Sequence, residues 1–182
     1  MHNSNREKIL TAAAKILAEE GLDAVSIRSV CKKVGIQAPT VYHFYKSKEG
    51  LLSAVIELAY ERHSIKYSSL AQNKSPVVAL EKIWDTFFEF VENEPELFYA
   101  IVVAHLKQRI PEKGLEVFES IAMTFKKLEE KKRLKLPFRK ATEIFYAAAY
   151  GQALVFISQN RNSKLKKNII FTRDMCIQNL LS

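Results

Sequence analysis

The chain has 182 residues, 48% of them hydrophobic, and a formal net charge of +8. That is enough apolar material for a sizeable core, in one domain or in a small one joined to a larger one. Five glycines, five prolines and no long alternating apolar–polar run argue against a β-rich fold. The two cysteines, Cys31 and Cys176, lie far apart, with no CxxC and no Cys/His cluster, so no metal site is expected.

The polar start, His2 to Arg6, has no apolar signal core, and no stretch of about 18 uncharged apolar residues could span a membrane. A reducing, cytoplasmic location is the expectation. The positive charge suggests a polyanionic partner. Within residues 1–48 there are eight Lys/Arg and four acids, half of the net charge, so placement matters more there than amount.

A first helix is expected from a Ser4 or Asn5 cap to about Glu20, with Ile9, Ala12, Ala13, Ile16 and Leu17 as its stripe and Gly21 as its stop. Ser26 can cap a second helix, in which Ile27, Val30, Cys31 and Val34 recur at i, i+3, i+4 and i+7. Gly35 ends it, and Pro39 fits the first turn of a third helix anchored by Val41 and Tyr45. Helix, glycine turn, helix is the helix-turn-helix pattern. The small, polar and aromatic outer surface of the third helix suits a DNA major groove. The core of such a head is small and marginal alone.

Ser47 can cap a fourth helix, expected to reach about Ser69 and apolar on more than one face, as a connector would be. A loop follows at Gln72–Pro76. Leu80, Ile83, Trp84, Phe87, Phe88 and Val91 then mark a fifth helix, Leu97 to Leu106 a sixth running to about Arg109, and Leu115 to Leu128 a seventh, with a break at Pro111–Gly114. The charged run Lys126–Lys135 reads as a solvated helix end. An eighth helix spans about 138–159 and a ninth about 163–181. The expectation is an all-α, nine-helix protein.

Arg6, Ile9, Leu10, Ala12, Ala13, Gly21 and Ile27, then Val34-Gly35-Ile36, Pro39-Thr40-Val41-Tyr42 and Lys46-Ser47-Lys48-Glu49-Gly50-Leu51-Leu52, closely resemble the tetracycline-repressor (TetR) family of bacterial regulators over roughly residues 6–60. The resemblance implies a helix-turn-helix DNA-binding domain at 1–46 and a ligand-binding and dimerisation domain at 47–182. It implies DNA contacts from Ser26, Arg28, Gln37, Ala38, Pro39, Thr40, Tyr42, His43 and Lys48, with Tyr42 and Lys48 on phosphates. The chemistry agrees: Gln37 suits adenine and Arg28 guanine, while hydroxyls and Lys48 suit phosphate oxygens. The order Phe44-Tyr45 is reversed from the family's usual one. Tyr45 then takes the buried slot and needs a partner for its hydroxyl, while Phe44, at the DNA face, could meet a thymine methyl.

Beyond residue 60 only the architecture resembles the family, so a role is implied but no particular ligand. Trp84, Phe87, Phe88, Val102, His105, Phe118, Ala122, Phe125, Phe145 and Gln152 are collectively the candidates for an apolar small-molecule site, while any one of them taken singly reads better as solid core. His105 either bonds a ligand or is a satisfied core histidine. Ala147, Ala148, Ala149, Gly151 and Ala153 in the eighth helix, with Ile169, Ile170, Cys176, Ile177 and Leu180 in the ninth, suggest a two-fold dimer interface. The reading is a homodimeric repressor on a palindromic operator, released by an apolar or amphipathic ligand. The alternative is a DNA-binding regulator without an inducer, whose C-terminal domain answers a protein partner. No nucleophile–base constellation, Glu-x-x-His pair or glycine-rich phosphate loop supports an enzyme, and no cofactor is expected.

Overall fold

The computed structural model describes residues 2–64, 67–159 and 165–182. Among them the chain is all-α. The helices are α1 His2–Glu20, α2 Ile27–Val34, α3 Ala38–Tyr45, α4 Lys48–Ser64, the five-residue α5 Tyr67–Ala71, α6 Pro76–Asn93, α7 Pro95–Leu106, α8 Glu112–Glu130, α9 Phe138–Ser158 and α10 Lys166–Leu180. The nine longer ones follow the expected order. The extended pairing among the described residues is a single bridge between Leu134 and Leu181.

Several boundaries differ from the expectation. The first helix begins at His2, so Ser4 and Asn5 lie inside it instead of capping it. The fourth ends at Ser64, and Tyr67–Ala71 forms a separate short helix. The seventh expected helix starts at Glu112, so Gly114 is a buried helical residue and the break falls at Lys107–Pro111, where Gln108 takes φ 53°. The same helix stops at Glu130, short of the charged run's end, at a turn in which Lys132 takes φ 54°. The expected start of the last helix, 163–164, lies outside the described residues.

Two compact units form. The first comprises Met1–Arg62 and Glu94–Lys113, the second His63–Asn93 and Gly114–Ser182. The expected boundary at 46/47 thus falls inside the first unit. The reason is the small core of the head. Ile9, Ala13, Ile16, Leu17, Val25, Ile27, Val30, Val41 and Tyr45 are buried as expected, but three short helices alone expose much of that apolar surface. Leu51, Val55 and Ala59 of α4, and Leu97, Phe98 and Ile101 of α7, complete the core of this unit, with α7 packed along α1. Val34 and Cys31 are only partly covered, so the α2 stripe is buried through Ile27 and Val30.

The second unit is built on aromatic packing. Trp84, Phe125, Phe145 and Phe156 are almost fully buried with Leu80 and Ile83. Trp84 stacks on Phe88 (5.4 Å between centroids) and meets Phe145 edge-on (5.3 Å), which in turn meets Phe125 edge-on (5.6 Å). Offset and edge-on pairs of this kind add to the burial of the rings themselves. In α10 the expected apolar stripe divides. Ile169, Ile177 and Leu180 are buried within the chain, while Ile170 is exposed together with Phe171 and Met175. On α9, Ile144, Ala147, Gly151, Leu154 and Val155 are also exposed and share one helical face.

Candidate nucleic-acid interface and ligand cavity

The outer surface of α3 is set by how α2 starts, how it stops and what anchors α3 beneath. At the start of α2, Ser29 N–H donates to Ser26 Oγ and Ser26 N–H to Ser29 Oγ, both at 3.0 Å, a reciprocal capping box. Ser29 Oγ also donates to the Ala24 carbonyl at 2.8 Å, which fixes the approach from α1. Ser29 is a cap partner the sequence reading missed, because a serine in that slot replaces the usual Glu or Gln. Gly35 closes α2 at φ 75°, its N–H donating to the Cys31 carbonyl at 2.9 Å.

In α3 the side chains of Val41 (0% exposed) and Tyr45 face the core. The helix surface opposite presents Pro39, Tyr42 (51% exposed) and His43, flanked by Gln37, which has extended backbone and makes no capping bond. Arg28 is exposed at the start of α2. Ala38, Thr40, Phe44 and Lys48 are partly covered, and Phe44 meets His43 edge-on at 5.4 Å. Ser26 is half-buried and uses its hydroxyl in the cap.

The turn from α3 into α4 is tight. Lys46 takes φ 59°, and Ser47 N–H donates to the Tyr45 carbonyl at 2.6 Å. Ser47 Oγ accepts from Gly50 N–H at 3.0 Å, the expected cap of α4. A Cβ on Gly50 would lie 2.1 Å from the Tyr45 carbonyl oxygen. Only glycine lets α4 start so close to the end of α3. Gly50 stands in the motif quoted above, yet nothing in the sequence states this contact.

The second unit holds a cavity of about 20 Å³, lined by Ile83, Trp84, Phe87, Ile121, Phe145 and Ala149, with the polar side chains His63, Tyr67, Tyr146 and Tyr150. Trp84, Phe87 and Phe145 are thus the members of the ten-residue candidate set that line it. Phe88 and Phe125 pack behind, Ala122 is buried in α8, and Phe118 meets Tyr146 edge-on at 5.7 Å. Gln152 accepts from the Thr172 hydroxyl at 3.1 Å. Val102 and His105 belong to the first unit, where His105 Nε2 and Tyr60 Oη hydrogen-bond at 3.1 Å. Burial lowers the pKa of His105, as for a satisfied core histidine.

His63 and Tyr67 were missed in sequence. They come together across the end of α4, with His63 Nε2 and Tyr67 Oη 2.9 Å apart. Tyr146 Oη donates to Tyr150 Oη at 2.8 Å, and their rings stack at 4.4 Å. Burial pushes the Tyr146 hydroxyl up to about 12 and that of Tyr67 well above the ordinary tyrosine value, so both stay protonated near neutrality. Among the described residues no group of three or more His, Cys, Asp or Glu is placed to hold a metal ion, and no helix is long and apolar enough to cross a membrane. Burial also raises the thiol of Cys176 to about 11.

Residues 9–55, which carry the capping box, the glycine turn, the anchored α3 and the Ser47–Gly50 junction, match the family model for bacterial regulatory proteins of the tetR family. Over these residues the chain is similar to the TetR family. Among sequence relatives, the tetracycline repressor protein class D of Escherichia coli is 38% identical over 63 residues, 35% of this chain and 29% of that repressor. The match to that relative therefore spans less than a third of its length. Beyond the head, the TetR likeness is one of fold. A TetR-family transcription regulator from Marinobacter aquaeolei VT8 superposes with a TM-score of 0.81 at 21% identity, covering 99% of this chain and 97% of the other. A complex of SmeT with triclosan gives 0.79 at 16% identity, covering 98% and 92%.

Proposed function

We infer that the protein is a sequence-specific DNA-binding transcriptional regulator, acting as a homodimeric repressor on a palindromic operator. The observation that carries this reading is the surface of α3. Val41 and Tyr45 hold the helix from below, while Gln37, Pro39, Tyr42 and His43 stand outward with Arg28 beside them. Exposed polar and aromatic side chains on a short helix anchored from below suit groove recognition. In this reading Arg28, Gln37 and His43 read base edges, Ala38, Pro39, Thr40 and Phe44 shape the contact, and Ser26, Tyr42 and Lys48 hold the backbone.

Two heads are needed to read two half-sites about one DNA turn apart, roughly 34 Å. The exposed apolar faces of α9 and α10 supply a surface for a second copy. The division of labour follows: residues 1–46 bind DNA, and 47–182 dimerise and respond to a signal.

The signal in this reading is a small apolar or amphipathic molecule in the aromatic cavity. SmeT, which shares the fold, is known in complex with triclosan. Release requires that the molecule bind one of two conformations more tightly. α4 carries Lys48 in its first turn and His63 in its last. The cavity's small volume, against roughly 300–1,000 Å³ for ordinary ligand pockets, supports a second reading, in which a protein partner replaces the inducer.

Selection of binding sites from random DNA by the full-length protein tests the central reading. A palindromic consensus bound by a dimer is the expected result. Binding without sequence preference would sink it, and repeating the selection with candidate apolar compounds separates the two signals.

A further inference from the structure

The cavity of the second unit has a chemistry specific enough to name what it takes. Seven of its ten lining side chains are rings, and none is an acid, a lysine or an arginine. An anion entering it would leave water without meeting an opposite charge. Trp84 is fully buried, and its indole N–H has no acceptor among the described residues. Buried indole N–H groups ordinarily have one.

The free space, about 20 Å³, is that of a single water molecule, so a larger guest must move a side chain. Tyr146 and Tyr150 are the lining residues that are only partly buried. Their rings continue a stack that begins on Phe87, which lies 5.3 Å from Tyr150 at an interplanar angle of 20°. A flat ring that displaces Tyr150 outward regains the same face-to-face contact on Phe87.

We propose that this site takes an uncharged, planar aromatic molecule bearing one hydrogen-bond acceptor, which replaces Tyr150 against Phe87 and accepts from Trp84 Nε1–H. The inference rests on the ligand-responsive reading above and narrows it: fatty acids, as flexible anions, are the wrong chemistry for these walls.

The test uses the full-length protein and a matched set of probes. Quinoline offers a ring nitrogen, naphthalene the same shape without an acceptor, and decanoate a flexible anion. Trp84 is the single tryptophan of the chain, so its emission reports occupancy directly. Equilibrium dialysis gives the affinities. Quinoline should perturb the emission saturably and bind about tenfold more tightly than naphthalene. Trp84→Phe keeps a ring but removes the donor, and should bind the two alike.

Equal affinity of the wild type for quinoline and naphthalene overturns the proposal without reference to any variant, so a poorly folded Trp84→Phe protein decides nothing. Tighter binding of decanoate overturns it too. If decanoate alone binds and releases operator DNA, the ligand-responsive reading stands and this inference falls. If none of the probes binds and none alters operator affinity, both fall.

Discussion

The Tyr45 hydroxyl donates to the main-chain carbonyl of Arg6 at 3.2 Å, tying the last residue of α3 to α1. This contact resolves the reversed Phe44-Tyr45 order. The buried aromatic carries a hydroxyl, and burial holds that hydroxyl above the ordinary tyrosine pKa, but it is not orphaned. Tyr45→Phe should lower stability by about 1 kcal/mol, read as a lower urea midpoint with an unchanged slope. An unchanged midpoint would show that the bond contributes nothing net.

Gly50 sets a contest between two effects. Glycine to alanine inside a helix ordinarily gains about 1 kcal/mol. Here the new Cβ would stand 2.1 Å from a backbone oxygen, which cannot swing away as a side chain does. Gly50→Ala should therefore destabilise, by about 1–3 kcal/mol, and should weaken DNA binding as α3 shifts against α4. Thermal unfolding and operator titration check the two effects separately.

The outward residues of the head should divide by role. Replacing Lys48 with alanine should weaken binding to all sequences and reduce the salt slope of log K by about 1. Tyr42→Phe should also act on every sequence. Gln37→Ala and His43→Ala should change which bases are preferred, by about 1–3 kcal/mol at the contacted positions. Titrations against a panel of single-base operator variants distinguish the two patterns.

His105 makes stability depend on pH. Its folded-state pKa lies below the ordinary 6.5 because burial disfavours the imidazolium. As pH falls below 6.5 the unfolded chain takes up its proton first, so this contribution to stability is complete above that value and declines below it. Unfolding free energy measured from pH 7.5 to 5 should fall, and His105→Gln should flatten the slope. A slope unchanged by the substitution would assign it to other groups.

The exposed faces of α9 and α10 give a prediction about assembly. Gly151 has open space around it, so a larger side chain there fits the isolated chain but not a close helix–helix contact. Gly151→Leu and Phe171→Glu should each yield folded monomers by sedimentation and lose cooperative operator binding. Dimers of unchanged affinity would place the interface elsewhere.

The sequence by itself determined the class, the order of the long helices and the outward side of the third helix. Those features are written at short range. A 3.6-residue apolar period, Ser26 and Ser47 before helices, Gly35 after one and Pro39 in a first turn each act within a few neighbours. Tertiary structure decided what pairs across long separations. It drew α7 against α1, and so enlarged the core of the head beyond residue 46. It gave His105 to Tyr60 instead of the cavity, and brought His63 and Tyr67 into a wall that composition did not reveal. It also turned Ile169 inward and left Ile170 and Phe171 outside. The physical reason is that an apolar stripe specifies burial but not against what. A hydroxyl or ring nitrogen likewise states its need for a partner, and only the packed chain supplies one.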